Sequence, residues 1–255
     1  NFILATKRSG VYRFHLLTMT ETGILLHVWG EWACFTRPEL KAERYSYEVM
    51  TPSAAIGILS AIYWKPEIQW HIDKIHVLKP IKLISIRRNE VSAKATPPKS
   101  DVIKNGGEAR LGLLVEETRQ QRSSTILQDV DYLIEAHFSV LKEQENINAQ
   151  AKHYEMFKRR AMKGQSFHQP YFGTREFPVS FEWWDQSTPP PSSLPPDQQN
   201  RNLGMMLHEI EFVPDKKGKI ISSLDGKKLS AVPHFFPAEL KSGILHVPSL
   251  NRTNS

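Results

Sequence analysis

A lysine and a histidine, Lys152 and His153, stand side by side where the sequence predicts the start of a helix. Asn146 or Asn148 can cap this helix, and Gly164 supplies a C-terminal stop. Backbone N–H groups at a helix N-terminus attract anions, and an ammonium and an imidazole strengthen such a site. Histidine exchanges a proton near neutral pH, while lysine neutralises charge that grows on phosphorus. The pair suits work on an RNA phosphodiester, although an adjacent Lys-His pair alone is more often a solvated helix end.

The predicted helix is strongly basic, and so is the whole chain. Residues 152–163 contain five lysines and arginines against one acid, Glu155, which gives a net charge of 5 − 1 = +4. The 255 residues carry a formal net charge of +6, with a pI of about 9.3. This balance favours an anionic partner, nucleic acid first and an acidic membrane surface second. A hydrophobic content of 40% and a charged content of 24% are typical of ordinary soluble proteins.

The single cysteine, Cys34, excludes an internal disulfide and a cysteine-based metal site. The histidines lack metal-ligand spacing, so we expect no metal and no other cofactor. No apolar run approaches the roughly 20 residues of a membrane helix, and the first residues lack the apolar core of a signal peptide. These features predict a cytoplasmic protein without a membrane partner.

Four strands and two helices are expected to position the Lys-His pair. They are a strand at 23–35, a helix that Thr51 caps and Pro66 stops, a strand at 68–86 bent at Pro80, a strand at 125–141, the helix at 146–164, and a strand at 179–184. The order strand, helix, strand, strand, helix, strand is the split βαβ or ferredoxin-like arrangement. We therefore predict an α+β fold.

This strand order has a geometric consequence for Tyr63, which lies in the last turn of the first helix. The two crossover helices of a split βαβ unit run antiparallel to each other, so the end of the first approaches the start of the second. Tyr63 should therefore lie near Lys152 and His153, although nearly ninety residues separate them. An aromatic residue that closes a helix against the sheet is the simpler interpretation of Tyr63.

The remaining segments complete the predicted domain organisation. Residues 1–22 form an N-terminal extension, 23–186 a ferredoxin-like domain, 187–202 a flexible proline-rich spacer, and 203–255 a small β-rich C-terminal portion with strands at 203–213, 219–224 and 230–237. Within the first domain, residues 87–122 are polar and are predicted to form an excursion outside the core. A small hairpin could form there from Val102-Ile103 and residues 111–115.

Several runs, in the same order, resemble the CRISPR-associated Cas-five family of subtype I-C. These runs are VWGEWACFTRPELKAERYSYEVMTPSAA, GILSAIYWKPEI, IRRNEV, DVDYLIEAHF and AKHYEMFKRRAMKGQSFHQPYFGTREFP. The likeness spans residues 25–206. The segment before Met19, the proline-rich spacer and the tail after Lys228 have no counterpart in the family pattern, which leaves contacts of the C-terminal portion open.

The resemblance implies an RNA-recognition-like fold and a metal-independent endoribonuclease. Its members cut CRISPR precursor RNA beside the repeat hairpin and stay on the 5′ handle of the mature guide RNA. The implied partners are that RNA, the backbone and large subunits of the type I-C surveillance complex, and target DNA through the complex, in a prokaryotic cytoplasm. A non-catalytic subunit that caps the 5′ handle, and a basic DNA-binding or membrane-associated domain, are the competing interpretations.

The family's catalytic tyrosine falls on Tyr63 and its Lys-His pair on Lys152 and His153. The implied reaction is attack of a ribose 2′-hydroxyl on the neighbouring phosphorus, which leaves a 2′,3′-cyclic phosphate and a free 5′-hydroxyl. Such chemistry needs a base, an acid and relief of charge at phosphorus. We assign proton transfer to His153 and charge neutralisation to Lys152. Tyr63 positions the 2′-hydroxyl or donates a proton, and base and acid are not assigned between Tyr63 and His153.

RNA contacts are expected from basic and aromatic side chains around this site. The candidates are Arg87, Arg88, Arg122, Lys158, Arg159, Arg160, Gln165, Phe167, His168 and Arg175. For the three arginines at 87, 88 and 122, solvation of a long loop is an equally good interpretation. For Phe167, packing against the C-terminal portion competes with base stacking.

Overall fold

The computed structural model describes residues 2–8, 11–17, 23–40, 42–93, 98, 100–105, 114–140, 147–186, 188–222 and 226–250. Its strands are β1 (Phe2–Arg8), β2 (Val11–Leu17), β3 (Ile24–Ala33), β4 (Ile68–Val77), β5 (Leu83–Val91), β6 (Arg119–Val140), β7 (Ser180–Trp183), β8 (Arg201–Pro214), β9 (Ile220–Ile221), β10 (Lys228–Lys241) and β11 (Ile244–His246). Its helices are α1 (Pro52–Ile62), α2 (Ser100–Lys104), α3 (Val115–Thr118), α4 (Ile147–Met162) and α5 (Pro196–Gln199).

One nine-stranded sheet dominates the described part of the chain. Strands β7, β3, β6, β4, β11, β10 and β8 are hydrogen-bonded in that order, while β5 also pairs with β6 and β9 with β10. Every named pair in this sheet is antiparallel. Strands β1 and β2 pair only with each other. The predicted mixture of helices with a mostly antiparallel sheet is confirmed.

Helix α1 forms where the sequence predicts it, with the expected cap. The Thr51 side chain accepts a hydrogen bond from the Ala54 N–H at 3.3 Å, and Pro52 takes the first helical position, where its missing N–H costs nothing. The apolar stripe of α1 is buried against β4 and β8. Tyr63 is the first residue after the helix, where φ of −152° and ψ of 119° turn the chain from helical to extended.

Helix α4 packs on β6 and β7 and also contacts α1. Its buried residues are His153, Phe157 and Ala161, which recur at intervals of four and therefore lie on one face. Lys152 is one position out of phase with this face and is exposed. Of the two predicted caps, Asn146 lies outside the described residues, and Asn148 is wrong because it is the second residue of the helix. The predicted stop is present because Gly164 has a φ of +62°.

The prediction of one bent strand over residues 68–86 is wrong. Strand β4 ends at Val77, and β5 starts at Leu83 and continues to Val91, paired with residues 119–127 of β6. Residues 87–91 and 119–122 therefore extend the sheet as a two-stranded arm and do not belong to a loop excursion. Val102 and Ile103 lie in the short helix α2, so the hairpin predicted for them is also wrong, while residues 111–113 lie outside the described ranges.

Residues 188–199 are held against the sheet, in contrast to the predicted flexible spacer. The Ser193 N–H donates to the Leu78 carbonyl at 2.7 Å, and the Ile81 N–H donates to the Gln198 side chain at 2.7 Å. Leu194 is buried in the core.

The predicted strands at 203–213 and 230–237 are confirmed within β8 and β10, whose sheet joins β4 through β11. The division of the chain at residue 186 stays a prediction.

An ion-pair cluster links β4 to β6 and predicts an acid-sensitive stability. Glu135 accepts from His76 at 2.6 Å and from Lys74 at 2.8 Å, and the hydrogen bond from His76 lowers the pKa of Glu135 from 4.5 to about 2, helped by Lys74 and opposed by burial. A depressed pKa in the folded state stabilises the fold above the unfolded pKa, and this stabilisation is lost as the pH falls from 4.5 to about 2.

Glu135→Gln should therefore lower the free energy of unfolding at pH 7 by about 2 kcal/mol, because the amide keeps the shape but loses the charge. Its stability should also depend less on pH between 4.5 and about 2. Urea titrations at several pH values measure both effects. Glu31→Gln on the exposed side of β3 removes the same charge and should leave both unchanged. Equal behaviour of the two variants would contradict the assignment.

Candidate active site between two helices

Tyr63 and His153 meet in a direct hydrogen bond. The Tyr63 Oη lies 2.8 Å from the His153 Nδ1, across 90 residues of sequence. The Tyr63 carbonyl accepts from the Trp70 indole N–H at 3.1 Å, which fixes the backbone at the end of α1. Tyr63 is 2% exposed and His153 is 3% exposed, so the pair is buried between the end of α1 and the second turn of α4. Lys152 and His153 are the sixth and seventh residues of α4, so the prediction that they stand at the start of the helix is wrong.

The surroundings of His153 keep its imidazole neutral near pH 7. Burial is the largest cause that lowers its pKa below 6.5, and the positive charges of Lys152 and Lys65 lower it further, while Glu67 opposes them. The Glu67 Oε1 lies 3.7 Å from the His153 Nε2. The Phe138 ring packs edge-on against the imidazole, with the ring centroids 6.2 Å apart. A neutral imidazole in this position can accept a proton.

The Tyr63 phenol is also neutral at rest. Burial raises its pKa above 10, the negative charge of Glu67 raises it further, and Arg160 lowers it. A neutral phenol beside a neutral imidazole donates its O–H to Nδ1 when the imidazole proton lies on Nε2. The carboxylate of Glu67 on the Nε2 side favours that tautomer. The arrangement can pass a proton from the phenol to His153.

Arg160 connects the Tyr63–His153 pair to an open depression. Its Nη1 donates to the Ile62 carbonyl at 2.8 Å, and its Cζ lies 5.2 Å from the centroid of the Tyr63 ring. The depression has a volume of about 580 Å³ and is lined by Arg160, Gly164, Gln165, Ser166 and Phe167. Tyr63 and His153 do not line it, so Arg160 is the contact between the two. The Phe167 N–H donates to the Ala61 carbonyl at 2.8 Å, which ties the loop after α4 to α1.

The loop after α4 is also anchored at its far end. The Cys34 N–H donates to the Phe172 carbonyl at 3.1 Å, and the Phe172 ring is buried. Gly173 has a φ of +79°, and a Cβ built there would lie 2.1 Å from the Cys34 carbonyl oxygen. Only glycine allows this close approach of two backbones. The loop therefore presents its exposed residues from a fixed base.

Six of the ten predicted RNA contacts are exposed, and four of these six lie in the loop after α4. The predicted candidates that are exposed are Arg87, Arg159, Gln165, Phe167, His168 and Arg175. The Phe167 ring is 84% exposed and does not pack against the C-terminal portion, which favours the stacking interpretation. Trp64, next to Tyr63, is 51% exposed and was missed by the sequence interpretation, although it stands in the same IYW run.

The remaining predicted RNA contacts already have protein partners. Arg88 pairs with Glu90 at 2.5 Å and with Glu176, and the Arg122 Nε lies 3.6 Å from the Glu90 carboxylate. Arg88 therefore ties the β5–β6 arm to the loop after α4, Arg122 pairs within the arm, and neither side chain solvates a loop. Lys158 lies over the Trp183 ring, 5.2 Å from its centroid. A role of these side chains in RNA binding stays a prediction.

Two absences and the position of Lys152 complete the description of the site. Over the described ranges, no three His, Cys, Asp or Glu side chains cluster as ligands for a metal ion. No helix among the described residues is long and apolar enough to cross a bilayer. Lys152 is exposed and acts on His153 through its charge, so the Lys-His pair divides into one buried and one surface residue.

Comparisons with known proteins agree on one family. The family model described as CRISPR-associated protein (Cas_Cas5) matches residues 23–248. A protein of Mannheimia succiniciproducens named CRISPR pre-crRNA endoribonuclease Cas5d is 51% identical over 228 residues, which cover 88% of this chain and 94% of the relative. A protein of the same name from Thermus thermophilus is 41% identical, over 87% of this chain and 90% of the relative.

A solved structure described as a CRISPR-associated protein shares the fold. It superimposes with a TM-score of 0.58 over 91% of this chain and 95% of its own, at 21% sequence identity.

Proposed function

The chain belongs to the Cas5d family of CRISPR-associated proteins, and from this membership we propose that it is the endoribonuclease that cuts CRISPR precursor RNA at the repeat hairpin. The enzyme remains on the 5′ handle of the mature guide RNA that it produces. The observation that carries the proposal is the 2.8 Å contact between the Tyr63 hydroxyl and the His153 imidazole, beside a depression lined with a cation and an exposed aromatic ring.

Tyr63, His153 and Lys152 are the proposed catalytic residues. Tyr63 takes the proton of the attacking 2′-hydroxyl while its own phenolic proton passes to the Nδ1 of the neutral His153. The 2′-oxygen forms a bond to phosphorus, and the bond from phosphorus to the 5′-oxygen breaks. Lys152, on the exposed side, offsets the negative charge of the phosphorane, and the leaving 5′-oxygen takes a proton from water. The products are a 2′,3′-cyclic phosphate and a free 5′-hydroxyl.

The proposed RNA contacts lie around the depression and along the loop after α4. Phe167 offers a stacking surface, and Arg160 and Gln165 offer donors to phosphate or to a base edge. The side chains of Arg159, His168 and Arg175 are exposed and complete a basic rim. Single-stranded nucleotides beside a hairpin fit such a surface, because their bases are free to stack.

We propose a ferredoxin-like core for the part of the chain that carries this site. Support comes from the element order β3, α1, β4, β6, α4 and β7 along the chain, together with the neighbour order β7, β3, β6 and β4 in the sheet. In this arrangement α1 and α4 are the two crossover helices. Their antiparallel packing accounts for the contact between Tyr63 and His153.

The proposed setting is the cytoplasm of a prokaryote, as a subunit beside the backbone and large subunits of a type I-C surveillance complex. Target DNA is reached through that complex. Exposed apolar side chains on β8 and β10, among them Met205, Ile210, Phe212 and Phe235, support a surface that faces another protein. A single buried cysteine, Cys34, fits a reducing compartment.

Incubation of the purified chain with an end-labelled repeat hairpin, with and without EDTA, tests this function. We expect equal cleavage under both conditions, with a cyclic phosphate on the 5′ fragment and a 5′-hydroxyl on the 3′ fragment. A repeat with a single 2′-deoxynucleotide before the cut should bind equally well and stay intact, because the nucleophile is missing. Cleavage of the deoxy substrate, or a requirement for Mg²⁺, would contradict the mechanism. Tight binding without any cleavage would instead identify the second candidate function, a non-catalytic cap of the 5′ handle. The burial of Tyr63 and His153 is the observation that favours this second candidate.

A further inference from the structure

We propose that Glu67 is a positioning residue of this site, which holds the imidazole of His153 in the orientation and tautomer that accept a proton from Tyr63. The inference rests on the proposed function. The juxtaposition that carries it is an imidazole placed between a phenol on one nitrogen and a carboxylate on the other. His153 lies 2.8 Å from the Tyr63 Oη through Nδ1 and 3.7 Å from the Glu67 Oε1 through Nε2.

A tight turn between α1 and β4 places Glu67 in this position. The Ile68 N–H donates to the Lys65 carbonyl at 3.1 Å, and Pro66 occupies the second position of the turn, where its fixed φ is favourable. Glu67 follows as the third residue, four positions after Tyr63. Its side chain is 24% exposed, so it is partly shielded from water on the side of His153. The turn thus brings the acid to the same imidazole that Tyr63 contacts.

Among the residues that the structure describes, the other charged groups that act on the pair are cations. Lys65 in the same turn and Lys152 on α4 both act on His153, and Arg160 lies over the ring of Tyr63. The ring that faces His153 from β6 belongs to Phe138 and carries no charge. Glu67 is therefore the group that offsets positive charge around the imidazole. Its removal leaves His153 among cations in a largely buried place.

The chemistry explains why a carboxylate is useful at this position. In the resting state, a proton on Nε2 leaves the Nδ1 lone pair free for the phenol. When His153 receives the phenolic proton, it becomes an imidazolium with both nitrogens protonated, and a neighbouring carboxylate stabilises that charge. A carboxylate with this function orients the imidazole and stays ionised throughout. At 3.7 Å the two groups interact through charge, and a hydrogen bond would require this separation to shorten to about 3 Å.

Glu67→Gln is the informative variant, because it keeps the shape and removes the charge. At saturating repeat RNA we expect the single-turnover cleavage rate to fall by about tenfold to a hundredfold, with unchanged RNA affinity. The pH profile should change as well. Without the carboxylate, the imidazolium is less stable, the pKa of His153 falls further, and the limb of the rate profile that belongs to His153 moves to lower pH.

Glu155→Gln is the matched control, since it removes the same charge from an exposed position on α4 two residues from His153. It should change neither the rate nor the profile. Glu67→Asp keeps the charge on a shorter side chain and should recover part of the lost rate and restore the limb toward its original pH. A purely structural role of Glu67 would give equal losses in the Gln and Asp variants and no shift of the limb.

A readout that does not depend on cleavage is the ¹⁵N spectrum of the His153 ring. We expect the Nε2–H tautomer in the original chain and a mixture of tautomers in Glu67→Gln. An unchanged rate, limb and spectrum in Glu67→Gln, while His153→Ala is inactive, would overturn the role of Glu67 alone. Full activity in His153→Ala would overturn the proposed catalytic mechanism as well, whereas absence of cleavage by the original chain would overturn the proposed function, so these failures are distinguishable.

Discussion

Replacement of His153 by alanine should lower the rate of repeat-RNA cleavage by a factor of about 10² to 10⁴. The imidazole is the group that accepts the phenolic proton, and the alanine variant leaves the Tyr63 hydroxyl without a partner in a buried position. RNA affinity should persist, because the exposed cations and Phe167 that are proposed to contact the RNA are unchanged. Single-turnover cleavage of a labelled repeat hairpin, measured beside a filter-binding titration, separates the two quantities.

The variant also carries a cost in stability of about 1–3 kcal/mol, from a buried hydroxyl that is left unpaired. His208→Ala is a suitable control, because His208 on β8 is likewise buried and hydrogen-bonded. Its Nε2 lies 2.8 Å from the Pro248 carbonyl oxygen. It should lose a similar amount of stability and keep its cleavage rate. His153→Gln retains more volume and should be as inactive as the alanine variant. Rapid cleavage by both His153 variants would remove this residue from the catalytic mechanism.

Replacement of Tyr63 by phenylalanine should lower the cleavage rate by a factor of about 10² to 10³. The ring remains beneath Arg160 and in the core, and only the hydroxyl that contacts the His153 Nδ1 is lost. The variant therefore tests the chemistry of one oxygen atom in an otherwise intact site. The same cleavage assay in EDTA measures the effect, and thermal unfolding shows how much of it comes from stability.

Tyr132→Phe provides the matched control for this variant. Tyr132 is as deeply buried as Tyr63, and its hydroxyl bonds to the backbone of Met50, away from His153. The control should lose stability without losing activity. The double variant of Tyr63 and His153 should be scarcely slower than His153→Ala, because residues that act as a unit have non-additive effects. Equal activity of the two phenylalanine variants would show that the Tyr63 hydroxyl has only a structural role.

The contact at the centre of the site could be predicted from the sequence because it follows from topology. Thr51 and Pro52 mark the start of α1, and the order of elements determines which helix ends meet. Helical phase also carries information about burial that the interpretation of the Lys-His pair did not use. A stripe drawn through His153, Phe157 and Ala161 separates the buried histidine from the exposed Lys152.

The β5–β6 arm could not be recognised from its sequence, for a physical reason. A strand is detected by its alternation of apolar and polar residues, which arises when one face is buried. The strands that carry Arg87, Arg88 and Arg122 have little buried surface on either face in this arm. Their sequence therefore shows no alternation and resembles that of a loop. What holds the arm is the pairing of Arg88 with Glu90 and Glu176, and Glu176 is distant in sequence.

Two other features depend on long-range contacts that no local pattern reveals. Prolines at 189–191 and 195–196 suggest a flexible segment, yet it is fixed because Ser193 and Gln198 find backbone partners around β4 and β5. Glu67 looks like an ordinary turn residue in the sequence. Only the folded structure shows that the Glu67 carboxylate lies near the same imidazole, that of His153, to which the Tyr63 hydroxyl is hydrogen-bonded.

The near-complete burial of Tyr63 and His153 has a consequence for how cleavage is timed. At 2% exposure, the Tyr63 phenol is nearly inaccessible to solvent in this conformation. Under the proposed mechanism, bound precursor RNA has to make the Tyr63 hydroxyl accessible, and contacts with bases remote from the cut would supply the free energy for that change. Discrimination between correct and incorrect RNA would then depend on this conformational change. A dinucleotide with the correct scissile linkage should be a poor substrate, because it lacks the remote bases.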